Sequence, residues 1–213
     1  MCWINYMMRL RINMNNKESF FKNMSYAAIQ TNKGIGDKCK IIDQKYIRIN
    51  KYYTTLKENP SLLDAKFKFI LEREIFIFCE EIYSCLDYYS YVLRHYQEKS
   101  DRYRGQSTPT GFNDVLNGYI KKKNKAIYTN KDIIRLFNDA IIWYPIIHDI
   151  RSKEIHCCMG EVKIKENELI YESDTRYDKY QEISISLLDL QNINYKFKKF
   201  IIKALELLEN YSV

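Results

Sequence analysis

Apolar residues recur at intervals of three and four from residue 61 to about residue 98, and neither Gly nor Pro interrupts them. This spacing places them on one face of an α-helix. Ser61, with Asp64 three residues later, has the form of a capping box in which Asp takes the usual Glu or Gln position. The pattern predicts one long amphipathic helix. Its apolar positions are Leu62, Leu63, Phe69, Ile70, Phe76, Ile77, Ile82, Tyr83, Leu86, Tyr89, Val92 and Leu93.

Three further segments have helical periodicity. Residues 112–125 predict a short helix that ends in a run of lysines, and residues 131–158 predict a longer helix that contains Pro145. A kink is expected at Pro145, because proline removes a backbone donor, and Gly160 offers the left-handed conformation that often ends a helix. A last amphipathic helix is predicted over residues 186–209.

Polar and apolar residues alternate over residues 161–172, around Glu166 and Asn167, as they do in a small β-hairpin. The chain has only 6 Gly and 3 Pro, too few for an all-β fold with many tight turns. We therefore predict an all-α fold. It is an up-and-down four-helix bundle with a long first helix and a small β-hairpin insertion before the last helix.

The 213-residue chain has a formal net charge of +7, and the whole excess lies in its first 60 residues. Those residues contain 11 Lys and Arg against 4 Asp and Glu, whereas residues 61–213 contain 23 of each sign. The sequence thus predicts a basic, partly ordered N-terminal appendage over residues 1–60 and a helical bundle domain over residues 61–213. Such an appendage suits contact with a polyanion, and it equally suits a solvated N-terminus.

The composition, with 46% hydrophobic and 29% charged residues, is typical of a globular protein. No apolar run approaches the ~18 residues of a membrane-spanning helix, and the first residues lack the charge order of a signal peptide. The six cysteines form no regular disulfide framework, and the adjacent Cys157 and Cys158 lack zinc-site spacing. We expect a cytoplasmic protein with reduced thiols, no metal, no cofactor and no membrane association.

Candidates for catalysis are few, because the chain has three histidines and no P-loop, dinucleotide-binding, nucleophile-elbow or metalloprotease motif. His95 lies among polar residues near the end of the first predicted helix, where a solvated histidine is expected. His148 and His156 lie late in the helix over residues 131–158.

Arg151 and His156 pair a permanent cation with a side chain that titrates near neutrality. Such a pair suffices for metal-free cleavage of RNA. The histidine can deprotonate the 2′-hydroxyl or protonate the leaving 5′-oxygen, and the arginine can neutralise the charge that develops on the phosphate. Five residues apart, the two side chains point ~140° apart on a straight helix. A kink at Pro145, an unwound helix end or a second subunit would have to bring them together.

The position of Arg151 and His156 resembles the Arg-x4–6-His motif that ribonucleases among the HEPN domains carry late in their third main helix. The resemblance extends over roughly residues 61–210, including the acidic and aromatic run of residues 80–91 and the final amphipathic helix. It implies a helical bundle that forms a homodimer with both motifs at the interface. It also implies a metal-independent endoribonuclease that cleaves RNA in toxin–antitoxin or phage-defence systems, with an antitoxin or defence-system partner.

Carried over by position, the resemblance implies that Arg151 holds the scissile phosphate and that His156 acts as general acid and base. It gives Glu81 or Glu80 of the first helix the role of orienting Arg151. Ser152 stands where the family's ribonucleases usually have Asn, Asp or His. A serine can donate a hydrogen bond to phosphate but bears no charge.

Two alternatives stay open. The lysines that end the second predicted helix form either a phosphate-contact cluster or a solvated helix end; they are Lys121, Lys122, Lys123 and Lys125. Arg151 and His156 have a structural alternative, in which Arg151 pairs with Glu154 or Asp149. The protein would then be a catalytically inactive helical bundle that binds nucleic acid or another protein.

Overall fold

The computed structural model describes residues 26–62, 64–99, 111–120, 131–156, 160–165, 168–172 and 183–210. These residues form mainly helices, with one small antiparallel sheet, which confirms the predicted helical class. The helices and strands, in chain order, are α1 (Tyr26–Glu58), a 3-10 turn (Pro60–Leu62), α2 (Ala65–Lys99), α3 (Phe112–Ile120), α4 (Lys131–His156), β1 (Glu161–Lys165), β2 (Glu168–Glu172), β3 (Ser184–Ser186) and α5 (Leu187–Asn210).

The long predicted helix is present as α2, but its N-terminal cap differs from the prediction. Asp64 is the capping residue, since its Oδ1 accepts a hydrogen bond from the Phe67 N–H at 2.7 Å. Ser61 lies in the preceding 3-10 turn, where its hydroxyl donates to Asn59. The helix therefore begins at Ala65, four residues after the predicted start at residue 61.

The other predicted helices are present as α3, α4 and α5 within the described residues. Helix α4 continues through Pro145 to His156. Helix α5 is capped by Ser186 and Asp189, which exchange hydrogen bonds. The Asp189 N–H donates to the Ser186 hydroxyl at 3.2 Å, and the Ser186 N–H donates to the Asp189 carboxylate at 2.9 Å. This reciprocal pair is a capping box, and it explains the abrupt change from strand to helix.

Helix α1 was not predicted, and it packs against α2 as part of the helical body. Its buried side chains recur along one face and belong to the same core as those of α2, α4 and α5. They are Ile35, Cys39, Ile42, Ile49 and Leu56. The predicted division at residue 60 therefore separates this helix from a core to which it contributes.

Part of the basic excess in the first 60 residues is neutralised by α2. Lys38 lies 2.6 Å from Glu81, and Lys45 lies 3.0 Å from Glu74. Arg48 reaches the same Glu74 carboxylate at 3.5 Å. The charge asymmetry along the chain thus becomes, in space, a set of ion pairs between adjacent helices.

The centre of the core is aromatic. The ring of Phe112, at the start of α3, lies 4.9 Å from that of Tyr144 on α4 and 5.4 Å from that of Phe200 on α5. Both contacts are edge-to-face, an arrangement that adds to the stabilisation from burial. Helix α3 is short, and these contacts fix its N-terminus against the two longer helices α4 and α5.

The predicted β-hairpin is present as β1 and β2, with Val162 opposite Tyr171 in an antiparallel register. A third strand, β3, extends the sheet in the order β1-β2-β3. The buried Glu72 of α2 anchors the sheet to the helices, since its carboxylate accepts a hydrogen bond from the Val162 N–H at 2.9 Å.

Gly160 precedes β1, and its backbone is not in the left-handed region that was expected at this helix end. Its N–H donates to the Tyr171 hydroxyl at 3.0 Å. A Cβ at this position would lie 2.5 Å from the carbonyl oxygen of Glu172. The close approach of β2 is therefore the physical reason for glycine at position 160.

Among the described residues, no helix has the length and apolar content needed to cross a membrane.

Candidate functional site

Helices α2 and α4 run antiparallel and bring together polar and aromatic side chains that are far apart in the sequence. Three lie on α2 at spacings of three and four residues, and three lie on α4 at spacings of four and three. Each set therefore occupies one face of its helix. We name these residues the Arg151 cluster. They are Glu80, Tyr83, Asp87, Tyr144, His148 and Arg151.

Arg151 is held by two contacts to α2. Its Nε donates a hydrogen bond to Oε2 of Glu80 at 3.2 Å, and its guanidinium carbon lies 4.7 Å from the centre of the Tyr83 ring. The Arg151 side chain is 31% exposed and that of Glu80 is 36% exposed. No other hydrogen bond of Arg151 is present among the described residues, so none of them accepts a hydrogen bond from its terminal nitrogens.

The aromatic rings of the cluster pack against one another next to Arg151. Tyr83 and Tyr144 lie nearly parallel, with ring centres 6.2 Å apart. The ring of His148 lies 6.2 Å from Tyr83 and 6.0 Å from Tyr144. Tyr83 thus contacts both Arg151 and His148, and it links the only described histidine ring to the cation.

Asp87 lies at the other end of the cluster and is hydrogen-bonded to the first residue of α3. Its Oδ1 accepts a hydrogen bond from the Phe112 N–H at 2.9 Å, so a carboxylate of α2 caps the first turn of α3. A Cβ at Gly111 would lie 3.0 Å from the same oxygen. The absence of a side chain at position 111 leaves room for this cap.

Burial is the main cause of the raised pKa values of three residues in the cluster, Asp87, Tyr83 and Tyr144. It raises the pKa of Asp87, against the opposing effects of the Phe112 N–H and the Arg151 charge. It also raises the pKa of Tyr83, and that of Tyr144 by more. Both phenols therefore stay protonated at neutral pH. The half-buried Tyr83 can donate a hydrogen bond to an anion, whereas the Tyr144 hydroxyl is buried.

The two acidic residues that were expected near Arg151 have different partners. Glu80 makes the contact with Arg151 described above, whereas Glu81 pairs with Lys38 of α1. The difference follows from the helix, since successive residues point ~100° apart and these two face different neighbours. Of the predicted alternative partners, Asp149 instead contacts His148, with Oδ1 3.2 Å from Nδ1.

The remaining predicted site residues are only partly described. Ser152 is half-buried on α4, directly after Arg151. His156 is the last residue of α4, and its side chain lies outside the part of the chain that the structure describes, as does that of Glu154. The predicted phosphate-contact lysines also lie outside the described residues; they are Lys121, Lys122, Lys123 and Lys125. Their roles stay predictions.

Among the described residues, no group of three or more His, Cys, Asp or Glu side chains is placed so that it could hold a metal ion. The cluster instead offers a permanent cation, an imidazole, and the phenol hydroxyl of the half-buried Tyr83, whereas the Tyr144 hydroxyl is buried. These are groups that can bind a phosphate and move a proton.

Sequence reasoning passed over Tyr83, Asp87, Tyr144 and His148 as site residues. A signal was present, because Tyr144 and His148 precede Arg151 by seven and three residues and share its helix face. The contribution of α2 had no such signal, since it depends on which helix packs against α4.

Comparisons with protein-family models, with curated proteins and with solved structures gave no match.

Proposed function

We propose that the protein is a metal-independent endoribonuclease of the HEPN type, with Arg151 and His156 as catalytic residues. The observation that carries the proposal is the position of Arg151. Its half-buried guanidinium lies between Glu80 and the Tyr83 ring, on the same helix as His156. An arginine fixed in this way presents its remaining N–H groups in a rigid fork that suits the oxygens of a phosphate.

The proposed reaction is an attack by the RNA on itself. The 2′-hydroxyl loses its proton, the 2′-oxygen bonds to the adjacent phosphorus, and the bond from phosphorus to the 5′-oxygen breaks. The products are a 2′,3′-cyclic phosphate and a 5′-hydroxyl. His156 transfers a proton in this sequence, and Arg151 stabilises the negative charge on the phosphorane. Ser152 donates a hydrogen bond to phosphate, and Glu80 positions Arg151.

The proposed function also includes a homodimeric assembly and a role in the cell. Helices α2 to α5 would form the up-and-down four-helix unit, and two copies would pair across a two-fold axis with both motifs at the interface. The protein would act in the cytoplasm as a toxin or phage-defence protein, restrained by an antitoxin or another defence-system partner. Basic residues of the first 60 positions, together with Lys121, Lys122, Lys123 and Lys125, would contribute to RNA capture.

A cleavage assay tests the proposal directly. Purified protein in EDTA should cut RNA and leave 2′,3′-cyclic phosphate ends. The substitution His156→Ala should abolish cleavage, and the matched control His95→Ala should retain it. An unchanged rate for His156→Ala would contradict the catalytic assignment. A monomeric mass in solution would contradict the paired arrangement.

A second function is favoured by one observation. The ion pair of Arg151 with Glu80 and its contact with Tyr83 are also what a purely structural arginine between two helices would make. In that case the protein is a catalytically inactive helical bundle that binds nucleic acid or protein. It would bind RNA without cutting it, and its affinity would fall steeply as salt is raised.

A further inference from the structure

His148 is the histidine whose described side chain lies against the same Tyr83 ring as Arg151. Three residues apart on α4, the two side chains point about 60° apart around the helix, so they share a face. Both contact the same ring, since Tyr83 lies 4.7 Å from the Arg151 guanidinium and 6.2 Å from the His148 ring. His148 is 32% exposed and Arg151 is 31% exposed, so both can be reached from solvent.

The contact between His148 and Asp149 selects the basic nitrogen of the ring. Nδ1 of His148 lies 3.2 Å from Oδ1 of Asp149. A carboxylate only accepts hydrogen bonds, so the neutral imidazole must carry its proton on Nδ1 in this contact. Nε2 is then unprotonated and free to accept a proton, as in the general bases of hydrolytic enzymes.

We infer that His148 is a second proton-transfer residue of the site and acts as the general base, an inference that rests on the proposed ribonuclease function. Nε2 of His148 takes the proton of the 2′-hydroxyl as the 2′-oxygen bonds to phosphorus. The bond from phosphorus to the 5′-oxygen breaks, and the leaving oxygen takes a proton from the His156 imidazolium. One proton is accepted and one is donated, and Arg151 holds the charge on the phosphorane between the two transfers.

Two histidines solve a geometric difficulty of the Arg-His motif. Positions five residues apart point ~140° apart on a straight helix, so a single histidine at that spacing would have to both accept and donate a proton from another side of the helix. With His148 on the arginine's own face, the proton acceptor and the phosphate-binding group lie on one surface of one chain. The base can then act without a contribution from a second subunit.

The charged and titratable groups around His148 come from several helices. Asp149 and Arg151 flank it on α4, and Asp87 and Tyr83 face it from α2. Asp114 of α3 acts on Asp87 as a second negative charge and raises its pKa. Helix α5 approaches α4 through Lys196, which lies 3.9 Å from Asp139, more than two helical turns before His148.

The test combines a substitution with a pH profile. In full-length protein, His148→Asn should lower kcat by 10²-fold or more, the usual contribution of a general base. The acidic limb of the profile, along which activity rises as the base loses its proton, should disappear. Binding of an RNA with a 2′-deoxy residue at the cleavage site should be unchanged, and the matched control His95→Asn should cleave like the wild type.

A chemical rescue guards against a folding defect. Imidazole added to His148→Ala should restore cleavage in proportion to its unprotonated fraction, which a purely structural histidine would not allow. If His156→Ala abolishes cleavage but His148→Asn keeps both its rate and its acidic limb, the inference is overturned and the proposed function stands. If the wild-type protein does not cleave RNA at all, both are overturned.

Discussion

The guanidinium carbon of Arg151 lies 4.7 Å from the centre of the Tyr83 ring, and the Nε of the same arginine donates to Glu80 at 3.2 Å. These two contacts join the last turns of α4 to the middle of α2. They hold the guanidinium of Arg151 in one orientation at a half-buried position.

The first prediction concerns the coupling of Arg151 with Tyr83. In a double-mutant cycle with Arg151→Met and Tyr83→Leu, urea unfolding should give a coupling energy of about 1 kcal/mol, within the range of partly exposed cation–π pairs. Tyr83→Phe retains the ring and should retain most of the coupling. A coupling energy near zero would mean that the ring and the cation do not interact in solution.

The second prediction concerns the cap of α3. Asp87→Ala removes the acceptor of the Phe112 N–H and should lower the free energy of unfolding by ~1 kcal/mol, as the loss of an N-terminal cap does. Asp87→Asn keeps an acceptor oxygen and should be clearly more stable than the alanine variant. Thermal or urea unfolding measures the stability of both variants. Equal stability of the two would argue against the cap.

The third prediction concerns pH and the buried carboxyl of Glu72, which is 9% exposed. Burial raises the pKa of Glu72 above its ordinary 4.5, although the Val162 N–H opposes the shift. The folded state then holds the proton more tightly than the unfolded state, so the stabilisation from this group is complete below pH 4.5 and is lost as the pH rises through the folded-state pKa.

Glu72→Gln keeps an acceptor for Val162 and does not titrate. The wild type should therefore lose stability relative to this variant between pH 4 and pH 7, as measured by urea unfolding at both values. Glu72→Leu, which leaves the Val162 N–H without its acceptor, should cost about 1–3 kcal/mol. A stability difference between wild type and Glu72→Gln that does not change with pH would refute the raised pKa.

The fourth prediction concerns Gly160. In Gly160→Ala the new methyl group would meet the Glu172 carbonyl oxygen at 2.5 Å and the Tyr171 ring, so β2 would have to shift. We expect a loss of ~1–3 kcal/mol, as for other overpacked sites.

The control is Gly34→Ala within α1. There the three atoms nearest the added Cβ all belong to the ring of Tyr88, which is 38% exposed, so the neighbour that must shift is a side chain and not a strand backbone. Alanine is also the better helix former by about 1 kcal/mol. Differential scanning calorimetry should therefore show a lower Tm for Gly160→Ala and a similar or higher Tm for Gly34→Ala. A wild-type Tm for Gly160→Ala would show that β2 does not approach position 160 this closely.

The helices α2, α4 and α5 could be predicted because each has a periodic apolar face that is visible without its neighbours. Helix α1 has such a face too, at Ile35, Ile42 and Ile49, but the charge excess of the first 60 residues led to its interpretation as an appendage. What the sequence could not show is that Lys38 and Lys45 would meet the carboxylates of Glu81 and Glu74. A charge excess along the chain therefore does not show by itself which of its basic side chains are already paired with carboxylates in the fold.

The candidate site, like the fold, could be predicted only in part from the sequence. Arg151 could be selected because it lies five residues before His156, one of only three histidines in the chain, and Glu80 was named as one of two acidic residues near it. Tyr83 and Asp87 could not be selected, because their part in the cluster depends on the antiparallel contact between α2 and α4.

The sequence by itself determined which segments are helical and which faces they bury, because the spacing of apolar side chains along one helix is a local property. It also supplied the cation and the imidazoles from which the proposed reaction is built. Only the tertiary structure decided that α1 belongs to the core and that Glu80, not Glu81, meets Arg151. It alone placed the Tyr83 ring of α2 against both Arg151 and His148. These outcomes depend on which helix lies opposite which, and that choice is made by the packing of the whole chain.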